Sequence, residues 1–371
     1  TERIEKERKI SNQSLHGHIT ITNDLQQIGE RCEIIFPIVP SANFREMMKK
    51  LSPFLKPYHI LIHGTKGLDL KIGHGEVINK ENMLTRRHVR TMSEVILEES
   101  SVLRVGCLAG PNLAKEIALH QPAATVVASH FEEVIDAGQK LLKNDRFLVY
   151  GSNDLIGVEL CGILKNIIAI AAGALSGMGL GENSKSLLIS RGLVEMIHIG
   201  RALGGNTNAF LGLAGVGDLV ATCTSSLSRN FTVGYRLAQG ETLSQIMSSM
   251  EEVAEGVNTV NIINKLATYY DFRCPITETL LKIFEEKMKQ LRQEFEREKA
   301  LAVNSSSGET SARFDATILE KENMIKKLSD DLNDANLALQ NECEATSKKI
   351  GALESDRDKN KSEADSLRQL N

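Results

Sequence analysis

A chain of 371 residues is long enough for two or three domains and a sizeable core. Its formal charge of −4, from 44 Lys and Arg against 48 Asp and Glu, offers no support for general nucleic-acid binding. Six cysteines without a CxxC pair or metal spacing suit reduced thiols in a cytoplasmic protein, and the charged opening TERIEKERK lacks the apolar core of a signal peptide. His16 and His18 have no third ligand nearby and read as surface histidines, so no metal site is expected.

Residues 1–150 alternate between short apolar strands and helical patterns. The strands are expected at 19–22, 33–39, 59–63, 102–108, 125–128 and 146–150, with helices at 43–51, 113–119 and 131–142. That alternation predicts a mostly parallel, doubly wound sheet, in which ligands gather beyond the carboxyl ends of the strands. Two turns fall there. Gly64-Thr65-Lys66-Gly67 offers backbone donors and a cation, and Ala109-Gly110-Pro111-Asn112 leads into a helix N-terminus that favours anions. Each also reads as an ordinary turn, since a lone Gly-x-x-Gly is weak evidence.

From Asp154 to about Met288 the pattern becomes all-helical. The run DLIGVELCGILKNIIAIAAGALSGMGLG, residues 154–181, has an N-capping Asp154 and is apolar on every side. It approaches membrane-spanning length, but Gly157, Glu159, Gly162, Lys165 and Asn166 interrupt it and no basic flank orients it, so it reads as a core helix with no membrane span. Lys165 lies among Ile163, Leu164, Ile167 and Ile168. Burial there lowers a lysine's proton affinity towards neutrality, as proton transfer requires; the alternative is a lysine reaching out from a partly exposed face.

A second helix follows at 184–203, with Arg191 and Glu195 spaced to pair across one turn. If 213–224 is helical, Asp218 and Thr222 share a face. Arg229 and Asn230, after a serine-rich turn, open another helix and suit a phosphate or carboxylate, or else form a solvated helix start. Glu251, Glu252 and Glu255 precede a helix at 259–269.

The tail, 289–371, differs in kind. A serine-rich linker at 304–311 leads to a column of Ile318, Ile325, Leu332 and Leu339 spaced by seven, which continues as Thr346, Leu353, Asn360 and Leu367. The companion column turns polar after Ala335, so the tail reads either as a coiled coil centred on 318–340 or as a solvated helix.

The stretch VELCGILKNIIAIAAGALSGMGLGENSKSLLISRGLVEM, followed by FLGLAGVGDLVATCTSSLSRN, resembles the substrate domain of bacterial-type NAD(P)-dependent glycerol-3-phosphate dehydrogenases. FPIVPS, GTKGLD and AGPNLAKEIA precede it in that family's order, and VAEGVNT follows, so the resemblance runs from about residue 18 to about residue 288. It implies an α/β plus all-α protein: a Rossmann-like dinucleotide-binding domain over 1–150, a helical substrate domain over 151–288, and the tail.

The resemblance also implies roles. Lys165 of LKN handles the proton at the substrate's C2 oxygen, and Lys66 hydrogen-bonds substrate beside the nicotinamide. Gly110 and Asn112 contribute to substrate and cofactor binding, with Asn112 standing where the family has serine. Asn166, Asp218, Thr222, Ser228, Arg229 and Asn230 complete the substrate set, while Lys66, Ala114, Arg229, Val253 and Glu255 lie on the cofactor side. The cofactor is NAD or NADP, the substrate pair is glycerol 3-phosphate and dihydroxyacetone phosphate, and the setting is glycerophospholipid and carbohydrate metabolism in the cytoplasm. Two departures qualify this. No Gly-x-Gly-x-x-Gly turn precedes Ile19, so the chain reads as starting after that unit, with an incomplete sheet, unpaired strand edges and weakened cofactor affinity. The tail stands where the family has its closing helices, which leaves open a catalytically impaired interaction protein that dimerises through it.

Overall fold

The structure is a computed structural model that describes residues 2–10, 13–72, 83–250 and 254–286. By compactness the chain divides into two units. The first comprises Thr1–Asp69, Val89–Ala267 and Asp271–Glu285, and carries the sheet and the candidate site. The second comprises Leu70–His88, Thr268–Tyr270 and Glu286–Asn371; within it the Lys71 N–H donates to the His88 carbonyl at 2.8 Å and the Arg86 N–H to the Tyr270 hydroxyl at 3.2 Å. The serine-rich linker, the heptad column, Glu251, Glu252 and Val253 lie outside the described residues.

Five strands form the sheet of the first unit: β1 Ile34–Ile35, β2 Ile60–His63, β3 Arg104–Ala109, β4 Ala123–Ser129 and β5 Phe147–Ser152, in the order β1-β2-β3-β4-β5. All neighbours are parallel except β3 and β4, which run antiparallel. Side chains alternate across the pleat, so adjacent residues enter different cores. Leu61 and Val105 pack with Phe44, Met48, Val95 and Ile96 of helices α2 Ser41–Leu51 and α3 Met92–Glu99, and Leu25 and Ile28 of helix α1 Leu25–Arg31 pack against the same cluster. Ile62 and Val127 face the other way, onto Val134 of helix α4 Glu132–Leu142. Helices on both faces make the sheet doubly wound, as expected.

Several elements differ from the sequence reading. Residues 19–22 form no strand: they alternate well, but Ile19 and Thr20 are exposed and no strand pairs with the segment among the described residues. Expected strand 33–39 shrinks to Ile34–Ile35, because Pro37 removes a ladder donor within it. The strands are contiguous, so no gap opens inside the sheet; Ile34–Ile35 forms one edge. Helix α3 was not anticipated, although Thr91 and Glu94 make a full capping box at its start.

Beyond the sheet lies helix α5 Leu155–Gly177, capped by Asp154, whose carboxylate accepts from the Gly157 N–H at 2.9 Å. By length and composition it could cross a membrane, yet it is buried in the protein nearly throughout, which fits a core helix. Around it pack α6 Glu182–Ala202, α7 Asp218–Thr224 and α8 Arg229–Ala238. Helices α5 and α8 meet backbone to backbone: a Cβ on Gly234 would fall 1.8 Å from the Ile170 carbonyl oxygen. Glu195 is turned away from the expected pairing with Arg191. Its buried carboxylate accepts from the Ile276 N–H at 2.9 Å, the Thr277 N–H at 3.0 Å and the Thr277 hydroxyl at 2.7 Å, capping the helical residues 275–286.

Candidate active site

Strand β2 ends at His63, and the Gly64–Gly67 turn carries Lys66 towards helix α5. The turn is held on its far side by the Thr65 hydroxyl, which donates to the Val39 carbonyl at 2.7 Å. A Cβ built on Gly162 would lie 3.6 Å from Cγ of Lys66 and 3.6 Å from Cβ of Ala109, so the lysine stem and the end of β3 lie against the helix at this position. Three residues further along α5 stands Lys165. Helix α7 supplies the counter-charge. It follows a π-helical turn, Leu213–Gly217, within what the sequence suggested was one helix over 213–224. Asp218 and Thr222, four apart, share a face as expected.

These four residues form one polar cluster. The Lys165 ammonium donates to Oδ1 of Asp218 and, at 2.9 Å, to Oγ1 of Thr222. The Thr222 hydroxyl in turn donates to the Asp218 carbonyl at 2.6 Å. Lys66 Nζ stands 3.5 Å from Oδ2 of the same carboxylate, so two ammonium groups share one acid. Lys165 and Asp218 are buried, whereas the Lys66 side chain is 28% exposed. Burial, reinforced by the charge of Lys66, lowers the Lys165 pKa to about 7 against the opposing pull of Asp218. A lysine poised there can give and take a proton at neutral pH.

A second group lies at the start of α8. Ser228 caps it, accepting from the Phe231 N–H at 3.3 Å, and Arg229 is its exposed first residue. Asn230 is buried and its Oδ1 accepts from the Gly256 N–H at 3.0 Å; a Cβ on Gly256 would fall 2.9 Å from the carbonyl oxygen of Asn166. Asn166, Asn230 and Gly256 therefore meet, and Arg229 has a helix N-terminus behind it, an arrangement suited to phosphate.

The expected cofactor-side residues are more dispersed. Gly110, at φ 156°, ends β3 in a conformation that favours glycine, and a Cβ there would lie 2.9 Å from Thr125 Cα. Asn112 donates through Nδ2 to the Thr125 hydroxyl at 2.8 Å, while its buried Oδ1 has no partner among the described residues. Ala114 begins the short exposed helix Ala114–Ala118. Glu255 opens the helix Glu255–Tyr270, and its carboxylate accepts from the Ser41 N–H at 2.8 Å and from the Ser41 hydroxyl. Val253 lies outside the described residues.

The sequence reading missed Ser41, although it sits in the quoted FPIVPS stretch. It also missed the partners of Glu159, which it registered only as a break in an apolar run. A carboxylate inside a core helix demands a buried donor, and His63 was the available one.

Comparison with known proteins gives a consistent result. Family models described as the N-terminus and the C-terminus of NAD-dependent glycerol-3-phosphate dehydrogenase match residues 1–135 and 154–293. The chain is 40% identical over 280 residues to glycerol-3-phosphate dehydrogenase (NAD(P)+) of Acinetobacter baylyi, covering 76% of this chain and 74% of that protein. With the enzyme of the same name from Teredinibacter turnerae it shares 38% over 272 residues, 73% of this chain and 75% of the other. The crystal structure of glycerol-3-phosphate dehydrogenase from Coxiella burnetii superposes with a TM-score of 0.67 at 30% identity, over 79% of this chain and 87% of that one.

Proposed function

The chain belongs to the NAD-dependent glycerol-3-phosphate dehydrogenase family, and from that premise we propose that it interconverts glycerol 3-phosphate and dihydroxyacetone phosphate with NAD or NADP. The observation that carries this reading is Lys165, buried against Asp218 and Thr222 with its pKa lowered to about 7. In the reducing direction Lys165 protonates the oxygen developing at C2, and in the oxidising direction it takes that proton back. Asp218 keeps the ammonium form accessible in a dry site, and Thr222 fixes the direction of Nζ. Lys66 supports the same carboxylate and adds positive charge where the oxyanion forms. Arg229, Ser228 and Asn230, with Asn166, hold the phosphate end, so that binding energy remote from C2 aligns the reacting carbon.

The bound nicotinamide supplies the hydride. The residues present fit it: Asn112 Oδ1 is a buried acceptor lacking a donor, as a carboxamide or ribose hydroxyl would provide, and Gly110 keeps backbone close to Thr125. Ala114, Val253 and Glu255 are proposed for the same side. The spans of the two family matches support reading residues 1–150 as the cofactor domain and 151–288 as the substrate domain. The heptad column at 318–339 supports pairing of two copies through the tail, and a cytoplasmic location suits this metabolism.

The test is cofactor-dependent reduction of dihydroxyacetone phosphate by the purified chain. Lys165→Ala is expected to lower kcat by on the order of 10²–10⁴. Turnover unaffected by that change would remove Lys165 from the mechanism.

A further inference from the structure

We infer that the buried pair His63 and Glu159 is a positioning device, setting the register of strand β2 on helix α5 and thereby the place of the Lys66 ammonium beside Lys165 and Asp218. This rests on the proposed role of Lys165. His63 Nε2 lies 2.8 Å from Oε1 of Glu159, and their side chains are only 1% and 2% exposed. Ser93, in the first turn of α3, donates its N–H to the same oxygen at 3.0 Å, and its hydroxyl oxygen lies 3.0 Å from His63 Nε2. Burial pushes the Glu159 carboxyl up, but His63, the Ser93 N–H and the Thr91 hydroxyl together outweigh it, so the group is held below the usual carboxylate range. One strand and two helices thus converge on one buried charge.

The three side chains cannot act as a nucleophile, base and acid. Ser93 and Glu159 meet the same ring nitrogen, and the group is sealed from solvent. His63 Nδ1 and Glu159 Oε2 have no partner among the described residues. An apolar pair of like volume would avoid that cost, so what the polar pair contributes is geometry rather than stability.

The spacing indicates what that geometry serves. Lys66 is three residues after His63, Gly162 is three after Glu159, and Lys165 is three further on. Each of the two steps on α5 is a rise of about 4.5 Å along the helix. The Lys66 stem crosses α5 at Gly162, midway between Glu159 and Lys165. Thr65 holds the turn to Val39, whereas His63 holds it to the helix that carries Lys165.

His63→Phe alone leaves an uncompensated buried charge, so the test uses His63→Phe combined with Glu159→Gln. This double variant keeps a ring against Phe44 (6.0 Å between centroids) and an acceptor for the Ser93 N–H. The groups facing Lys165 are Lys66 from the β2 turn and Asp218, Thr222 and Cys223 from α7. Nitrogen-15 NMR of Lys165 Nζ, titrated in the full chain, reads their arrangement without turnover. The double variant is expected to fold, with a Lys165 midpoint raised towards that of Lys66→Met, and kcat lowered on the order of tenfold or more while KM for dihydroxyacetone phosphate moves much less. His63→Gln, which keeps a donor facing Glu159, is expected to restore both. A folded double variant with wild-type midpoint and kcat would overturn the inference, as would a His63→Gln variant that behaves like it. Lys165→Ala separates the two ideas: retained turnover there defeats the proton-transfer reading, while the titration still decides the role of His63.

Discussion

Asp218→Asn tests the electrostatics of the site most directly. The substitution keeps an oxygen facing Lys165 Nζ and removes the charge that two ammonium groups share. For opposite charges about 4 Å apart at an effective dielectric near 20, the attraction lost is about 4 kcal/mol. That is on the order of three decades in proton affinity. An ammonium that releases its proton at about 7 in the native protein would then release it well below neutrality. The stability consequence has a definite sign. Where the native variant has lost the proton and the native wild type keeps it, lowering the pH costs the variant about 1.4 kcal/mol per pH unit relative to wild type. The window opens downward from about 7, the native value of Lys165, and above it the difference is flat. Urea denaturation at about pH 8 and about pH 5.5 should therefore show a further loss of about 2 kcal/mol at the lower pH. Reduction of dihydroxyacetone phosphate should fall steeply at neutral pH and partly recover on acidification. An equal loss of stability at both pH values would mean that Lys165 keeps its proton without Asp218, and the reasoning would fail.

Three further substitutions probe the frame. Glu195→Ala strands the Ile276 and Thr277 N–H groups and the Thr277 hydroxyl, and should cost about 2–4 kcal/mol in urea denaturation. Gly234→Ala drives a methyl into the Ile170 carbonyl and should cost about 3 kcal/mol or more, seen as a lower Tm. Gly179→Ala, at φ 74° with open space around it, should cost only about 1 kcal/mol, which separates packing from backbone conformation.

What the sequence made legible follows from local physics. Asp154 as a cap and the apolar run around Lys165 predicted helix α5, because neither depends on distant partners; burial of the lysine stood beside a partly exposed alternative, and the structure buries it. The four-residue spacing of Asp218 and Thr222 put them on one face for the same reason. The helix nonetheless ends at Gly177 rather than at 181, with Gly179 already at positive φ. Long-range pairings were not legible. Glu195 had a plausible local partner in Arg191 but caps a segment more than 80 residues away, and Glu255 holds Ser41 across 214 positions. Strand 19–22 failed because a β pattern has no meaning until a neighbour offers its edge. Helix α3 was missed despite a readable Thr-x-x-Glu cap, since its short apolar run resembles a strand.

Lys66 bears on the same balance from the opposite side. Burial is the largest influence on Lys165, the charge of Lys66 comes next, and both expel the proton; Asp218 retains it. Lys66→Met deletes one expelling charge and leaves the carboxylate wholly to Lys165, so the Lys165 midpoint must rise where Asp218→Asn makes it fall. Because Lys66 is partly exposed, solvent screens its field, and the rise should be smaller than the fall on the Asp218 side. Two single substitutions on one cluster thus shift one titration in opposite directions, which a general loosening of the fold would not do. Nitrogen-15 titration of Lys165 in both variants measures this, and a shared direction would show that the carboxylate does not arbitrate between the two ammonium groups.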